Sequence, residues 1–131
     1  MKEINANIIA GNNKLLIGDY KGAILEFTKA IIIDPTLPHP YASRAAAKFE
    51  LMDYEGAVAD CKEALKLHFK AEYNSGRTIS RSTINPIYGR LYYLIGLCKI
   101  LLDDKENGFL NLNSAHMLGN PDAADMIRIY T

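Results

Sequence analysis

The chain has 131 residues, of which 49% are apolar and 23% charged, and its fifteen basic and fifteen acidic side chains cancel. That length fits a single domain with its own core, and the cancelled charge argues against a global field drawing it to nucleic acid or membrane. The opening MKEINANIIAGNNK lacks the apolar run of a signal peptide, and no stretch is long and apolar enough to span a bilayer. A cytoplasmic protein is therefore expected, provided no leader has been removed.

In chain order, a first helix is predicted over about residues 4–17, ending at Gly18, which can take the left-handed conformation just past a helix. Asp19 is a good N-cap for a second helix over 20–33. Pro35 stops that helix, because the residue before proline avoids helical geometry. The phrase then returns: GDYKGAILEFTKA at 18–30 is echoed by MDYEGAVADCKEA at 52–64. Asp19 and Asp53, Tyr20 and Tyr54, Gly22 and Gly56, Ala23 and Ala57, and Ala30 and Ala64 all stand 34 residues apart. The two alanines of each copy are seven residues apart and share one helix face. Small side chains there admit a neighbouring helix at close range. The second copy gives helices over about 39–51 and 54–68.

A third unit, YYLIGLCKILLDDKENGFLNLNSAHMLG at 92–119, repeats the pattern with Gly96 and Ala115. It is displaced by one period plus 17 residues. The extra residues fall in FKAEYNSGRTISRSTINP (69–86), read as a polar loop that ends in an Asn85 cap with Pro86 at the first helical position. NPDAADMIRIYT then reads as a short capping helix with an apolar face of Ala123, Met126, Ile127 and Tyr130.

A 34-residue helix–turn–helix period with these residues resembles the tetratricopeptide repeat, TPR. Residues 4–37 carry Gly11, Gly18, Tyr20, Ala23, Phe27, Ala30 and Pro35, and residues 38–71 carry Tyr41, Ala45, Tyr54, Ala57 and Ala64. Residues 89–122 carry Tyr92, Gly96, Leu112 and Ala115. Departures are Asn7 for an aromatic, Arg44 for a leucine, Cys61 for an aromatic, Phe69 for the terminal proline and Gly108 for an alanine. The ending AHMLGNPDAADMI also resembles junctions of the related Sel1-like repeats. The resemblance implies an all-α, right-handed superhelix of antiparallel helix pairs with about seven helices. Residues 1–131 would form one domain: repeats 4–37, 38–71 and 89–122, an inserted loop at 72–88 and a capping helix at about 121–131.

No chemistry-bearing constellation accompanies this scaffold. His39, His68 and His116 lack metal-ligand spacing, and Cys61 and Cys98 sit in apolar-periodic segments as buried reduced thiols. Asp103 and Asp104 precede a helix and read as capping residues. No catalytic residue, metal or cofactor is assigned, and no enzyme activity is expected.

The resemblance implies a protein-binding scaffold whose first helices line a concave groove. By register that groove takes Asn5, Ile8 and Asn12, then His39, Ala42, Ser43 and Ala46, then Arg90, Tyr93, Leu94 and Leu97. The family's best-known groove chemistry clamps a C-terminal peptide carboxylate with two Asn and three basic side chains. Asn12 matches and Arg90 keeps a charge, but Ile8, Ser43 and Leu94 supply neither cation nor amide. A less charged groove for an apolar or amide-bearing segment is expected, though Ile8 and Leu94 could equally pack against neighbouring helices. Other readings stay open: a structural subunit of a homo-oligomer or larger assembly, and, since residues 62–90 are locally basic, either a solvated helix face with a basic loop or a loop 72–88 that docks an acidic partner or closes over the groove. Lys14, Lys48 and Lys99 share one register and are expected to snorkel along the helix surface.

Overall fold

A computed structural model describes residues 2–74, 76 and 86–130. These residues form seven helices and no strand: α1 (Lys2–Leu16), α2 (Tyr20–Ile33), α3 (Pro38–Glu50), α4 (Tyr54–Asn74), α5 (Pro86–Leu101), α6 (Lys105–Met117) and α7 (Ala123–Tyr130). The chain divides into two compact units, Met1–Leu67 and His68–Thr131, with the division inside α4.

One turn closes the helices repeatedly. At the end of α1 the Gly18 N–H donates to the Leu15 carbonyl at 3.1 Å, and the Asp19 N–H donates to the Lys14 carbonyl at 2.8 Å. This Schellman arrangement satisfies carbonyls that the helix leaves over. Met52 and Asp53 repeat it after α3, Asp103 and Asp104 after α5, and Gly119 and Asn120 after α6. The left-handed residue is Gly18 (φ 80°), Met52 (64°), Asp103 (66°) or Gly119 (86°).

The next residue then caps the following helix. Asp19 accepts from the Gly22 N–H and Asp53 from the Gly56 N–H, both at 3.0 Å. A side chain on Gly22 or Gly56 would collide with the capping carboxylate. These glycines therefore sit in the first helical turn, despite their low helix propensity, to leave room for the cap. In α6 the corresponding Asn107 is bulkier. Its N–H donates to Asp104 Oδ1 at a longer 3.4 Å, and its side-chain amide also donates to both carboxylate oxygens.

In unit 1 the alanine face is buried as expected: Ala23, Phe27, Ala30, Ala45, Ala47, Ala57, Cys61 and Ala64 are fully enclosed. A Cβ on Gly11 would sit 2.6 Å from the Phe27 ring, so α1 is glycine where it crosses that ring. Beside this apolar layer lies a polar one. The Arg44 guanidinium pairs bidentately with Asp60, Nε to Oδ2 and Nη2 to Oδ1 at 2.8 Å each. Its Nη1 donates to Thr28 Oγ1 at 3.1 Å, and Thr28 donates on to the Ile24 carbonyl at 2.7 Å. Lys48 Nζ reaches the same carboxylate at 3.0 Å. Lys48 is thus mostly buried in an ion pair rather than snorkelling, because Asp60 is 4% exposed and needs compensating cations. Lys14 and Lys99 lie toward the N-caps of the next helices, 3.5 Å from Asp19 and 3.9 Å from Asp104. The Asp60 carboxylate also holds the Arg44 pKa above its usual value.

In unit 2, α5 and α6 approach closely: a Cβ on Gly96 would lie 2.9 Å from the Gly108 carbonyl and from Leu112. Helix α4 runs to Asn74 rather than ending near residue 68, and α5 begins at Pro86. The expected 72–88 loop is therefore shorter at both ends. Phe69 stands where the repeat pattern has proline, so nothing breaks the helix there. Its ring stacks on Tyr88 (4.8 Å, 11°), and His68 meets the same ring edge-on at 5.7 Å. The Asn85 cap, and most of the loop between these helices, lie outside the described residues. Cys61 and Cys98 are reduced and buried.

Two outcomes follow for urea unfolding. Met52→Gly should stabilise the protein by about 0.5–1 kcal/mol, because a β-carbon at positive φ is strained. Asp60→Ala should cost about 3–5 kcal/mol by stranding buried cations, while Asp60→Leu with Arg44→Leu and Lys48→Met should recover most of that loss.

Candidate functional site

The expected binding residues fall on three helices. In unit 1, Asn5, Ile8 and Asn12 lie on α1 at helical spacing, while His39 and Ser43 lie one turn apart on α3. Both α1 and α3 pack against α2 and touch each other. Asn5 and His39 are exposed; Ile8, Asn12 and Ser43 are half-buried. Ser43 Oγ and His39 Nε2 stand 3.5 Å apart, so the pair presents a hydroxyl and a ring nitrogen together.

In unit 2, Arg90 is exposed while Tyr93 and Leu94 are half-buried on α5. Burial pushes the Tyr93 hydroxyl above its usual pKa, and Asp122, Tyr130 and Asp125 add to the shift. The tyrosine thus lies in the field of the α7 region, a neighbourhood of carboxylates. That placement joins a first-helix residue to the closing helix, which the register alone did not indicate. Tyr88 was missed altogether: it is 2% exposed, and burial, then Glu72, hold its hydroxyl protonated well above the ordinary range. The sequence signal for it was the spacing of Phe69 and Tyr88 across the insertion, which periodicity alone could not pair.

The chemistry of these residues is that of contact. Among the described residues no group of three or more His, Cys, Asp or Glu is placed to hold a metal, and no helix is long and apolar enough to cross a membrane.

No protein-family model matches the sequence. Relatives do. Over 89 residues the chain is 34% identical to the small glutamine-rich tetratricopeptide repeat-containing protein 2 of Saccharomyces cerevisiae, covering 68% of this chain. The first TPR domain of Spaghetti (RPAP3), solved bound to the HSP90 peptide SRMEEVD, superposes with a TM-score of 0.77 at 25% identity. That match covers 97% of this chain and 89% of the other. The chain is a tetratricopeptide-repeat domain. The TPR2B domain of yeast Sti1, from a complex with pHsp70, shares the fold at a TM-score of 0.75 and 19% identity, covering 99% of this chain and 94% of that one. The chain spans 21% of the length of the yeast relative, so the TPR fold accounts for one part of a protein of that kind.

Exposure separates the packed residues of this TPR domain from the exposed ones. Asn5→Ala and Arg90→Ala should each change stability by less than about 0.5 kcal/mol. Tyr88→Ala should cost about 3–5 kcal/mol, the penalty of emptying a buried aromatic site. Thermal or chemical unfolding of the three variants checks the contrast.

Proposed function

We propose that this TPR domain is a non-catalytic interaction adaptor that binds a protein or peptide segment through its first helices. The repeats are taken as 4–37, 38–71 and 89–122, with α7 as the closing helix. Unit 1 contributes Asn5, Ile8, Asn12, His39 and Ser43; unit 2 contributes Arg90, Tyr93 and Leu94. The observation that carries this reading is the composition of the α1 and α3 surfaces. The exposed Asn5 amide and His39 imidazole share two touching helices with the half-buried Asn12, Ser43 and Ile8 side chains. Such a surface suits a segment recognised by apolar and amide contacts.

The peptide-bound structure of RPAP3 and the Sti1 complex support a protein-binding role by similarity of fold. Partner chemistry differs in one respect. Ile8, Ser43 and Leu94 occupy positions where the carboxylate clamp needs two cations and an amide, so a terminal carboxylate finds little compensating charge here.

A direct comparison decides the point. In fluorescence anisotropy the wild-type domain should not distinguish SRMEEVD from the same peptide with an amidated C-terminus. Ile8→Lys with Ser43→Asn, both in unit 1, should raise affinity for the free carboxylate by about tenfold or more. A wild-type domain that already prefers the free carboxylate strongly would refute the less charged surface. Asn12→Ala with Arg90→Ala and Tyr93→Ala should abolish capture of peptides selected from a random library, and unchanged capture would refute the first-helix site.

A second reading, a structural subunit, is favoured by one observation. The α1/α2 pair leaves Ile9, Leu25 and Ile32 exposed, and it holds a shallow depression lined by Glu3, Ala6, Asn7, Lys29, Ile32 and Ile33. Light scattering across concentration separates the two readings. A strict monomer at high concentration counts against assembly.

A further inference from the structure

The turns that close the helix pairs carry apolar side chains where an exposed connection ordinarily carries polar ones. In unit 1 Leu16 is 85% exposed, Ile17 79% and Met52 74%, with Leu51 beside Met52 at 39%. The α5–α6 turn repeats the chemistry with exposed Leu101 and Leu102. Turn geometry does not explain these residues. The Schellman turn asks only for a left-handed residue and a cap, and Met52 fills the left-handed position at a conformational cost. Core packing does not explain them either, since they face solvent.

In unit 1 the four side chains belong together. Short connections make α1 and α3 each antiparallel to α2, so α1 and α3 run in one direction. They also touch, which brings their C-terminal turns to the same end of the unit. Behind the turns the surface continues into half-buried Leu15 and Tyr20, which pack on the Ala23–Phe27–Ala47 core. It also continues into the Phe49–Tyr54 ring pair, 5.6 Å apart. One end of the unit thus carries both apolar turns, with Leu15, Tyr20, Phe49 and Tyr54 next to them along the chain.

The border of the ridge selects its occupant. Asp19, Glu50, Asp53 and Glu55 are exposed at this end. Lys14, 3.5 Å from Asp19, offsets that one carboxylate, and Lys48 is turned inward to Asp60, which leaves Glu50, Asp53 and Glu55 against the exposed Lys21. An acidic rim opposes an anionic lipid surface, and it opposes a second copy meeting ridge to ridge. It complements apolar residues flanked by lysine or arginine.

We infer that the α1–α2 and α3–α4 turns of unit 1 form a docking ridge, separate from the first-helix surface, for a basic amphipathic segment of a partner protein. The probe is a fluorescein-labelled helical peptide of leucine and lysine, with a leucine–glutamate peptide as control, titrated into the full chain. The lysine peptide should bind about tenfold or more tightly than the control and weaken as salt is raised. Leu16→Ser with Ile17→Ser, Leu51→Ser and Met52→Ser should reduce that binding by about tenfold or more without lowering the unfolding temperature much. Glu50→Lys with Glu55→Lys, both on the surface, should reduce it independently and guards against a folding defect in the serine variant. Asn12→Ala with Arg90→Ala and Tyr93→Ala should leave it unchanged, so failure of the ridge and failure of the first-helix site are distinguishable. Equal binding of the two peptides, or unchanged binding by the serine and lysine variants, overturns the proposal. So does self-association, or binding to anionic vesicles, that is lost in the serine variant.

Discussion

Everything in this fold depends on reversing the chain between antiparallel helices without stranding backbone groups. A helix ends with carbonyls that lack partners, and the next begins with amides that lack them. Here a single left-handed residue turns two donors back onto the carbonyls of the finished helix, and the following aspartate or asparagine caps the new one. Once that turn is set, Ala23 and Ala57 stand at the same distance from their caps and face the same way. The alanine faces, and with them the close approach of neighbouring helices, follow from the turn.

The sequence made this level of organisation readable. Asp19, Asp53 and the alanine pairs repeat at one interval, and the interval states both helix length and face. Gly22 and Gly56 were visible as a regularity but not as a mechanism, because their purpose is to leave space for a carboxylate three residues earlier. The end of α4 was misread for a related reason. A polar composition suggested a loop from residue 69, yet composition does not end a helix unless a proline or a cap does. The stacking of Phe69 on Tyr88 rewards the additional turns. The candidate contact residues were legible only as register positions. Register assigns a face, while exposure and neighbouring charge, such as the α7-region carboxylates around Tyr93, depend on the folded chain.

The Arg44–Asp60 network shows how a departure from a repeat pattern can be compensated within the fold. An arginine replaces leucine beside an alanine face, so its charge would be stranded among helices packed at close range. Asp60 answers it from α4 with a bidentate pair, Thr28 from α2 takes another N–H, and Lys48 adds a second cation. A buried ion pair of this kind contributes little net stability compared with apolar packing, yet it is costly to break on one side. Its directional hydrogen bonds also tie α2, α3 and α4 together at fixed positions. Alanine faces, being smooth, resist sliding poorly by themselves. The polar network therefore fixes alignment in the unit whose apolar faces set the spacing.

This division of labour frees the remaining surface. Second helices spend their inner faces on packing, and the turns spend their polar groups on capping. First-helix residues such as Asn5, His39 and Arg90 are exposed and have no part in either task. Changing them leaves the turn geometry and the alanine layer undisturbed. The clamp positions illustrate the point: Ile8, Ser43 and Leu94 replace polar or cationic groups while the caps, the Schellman turns and the buried alanines persist. A solenoid of this construction can therefore vary its surface chemistry by substitution at register positions outside the caps and the alanine faces. The same reasoning applies to the turn edge, where the backbone motif requires only the left-handed residue and the cap, leaving Leu16, Ile17 and Leu51 unconstrained by the fold.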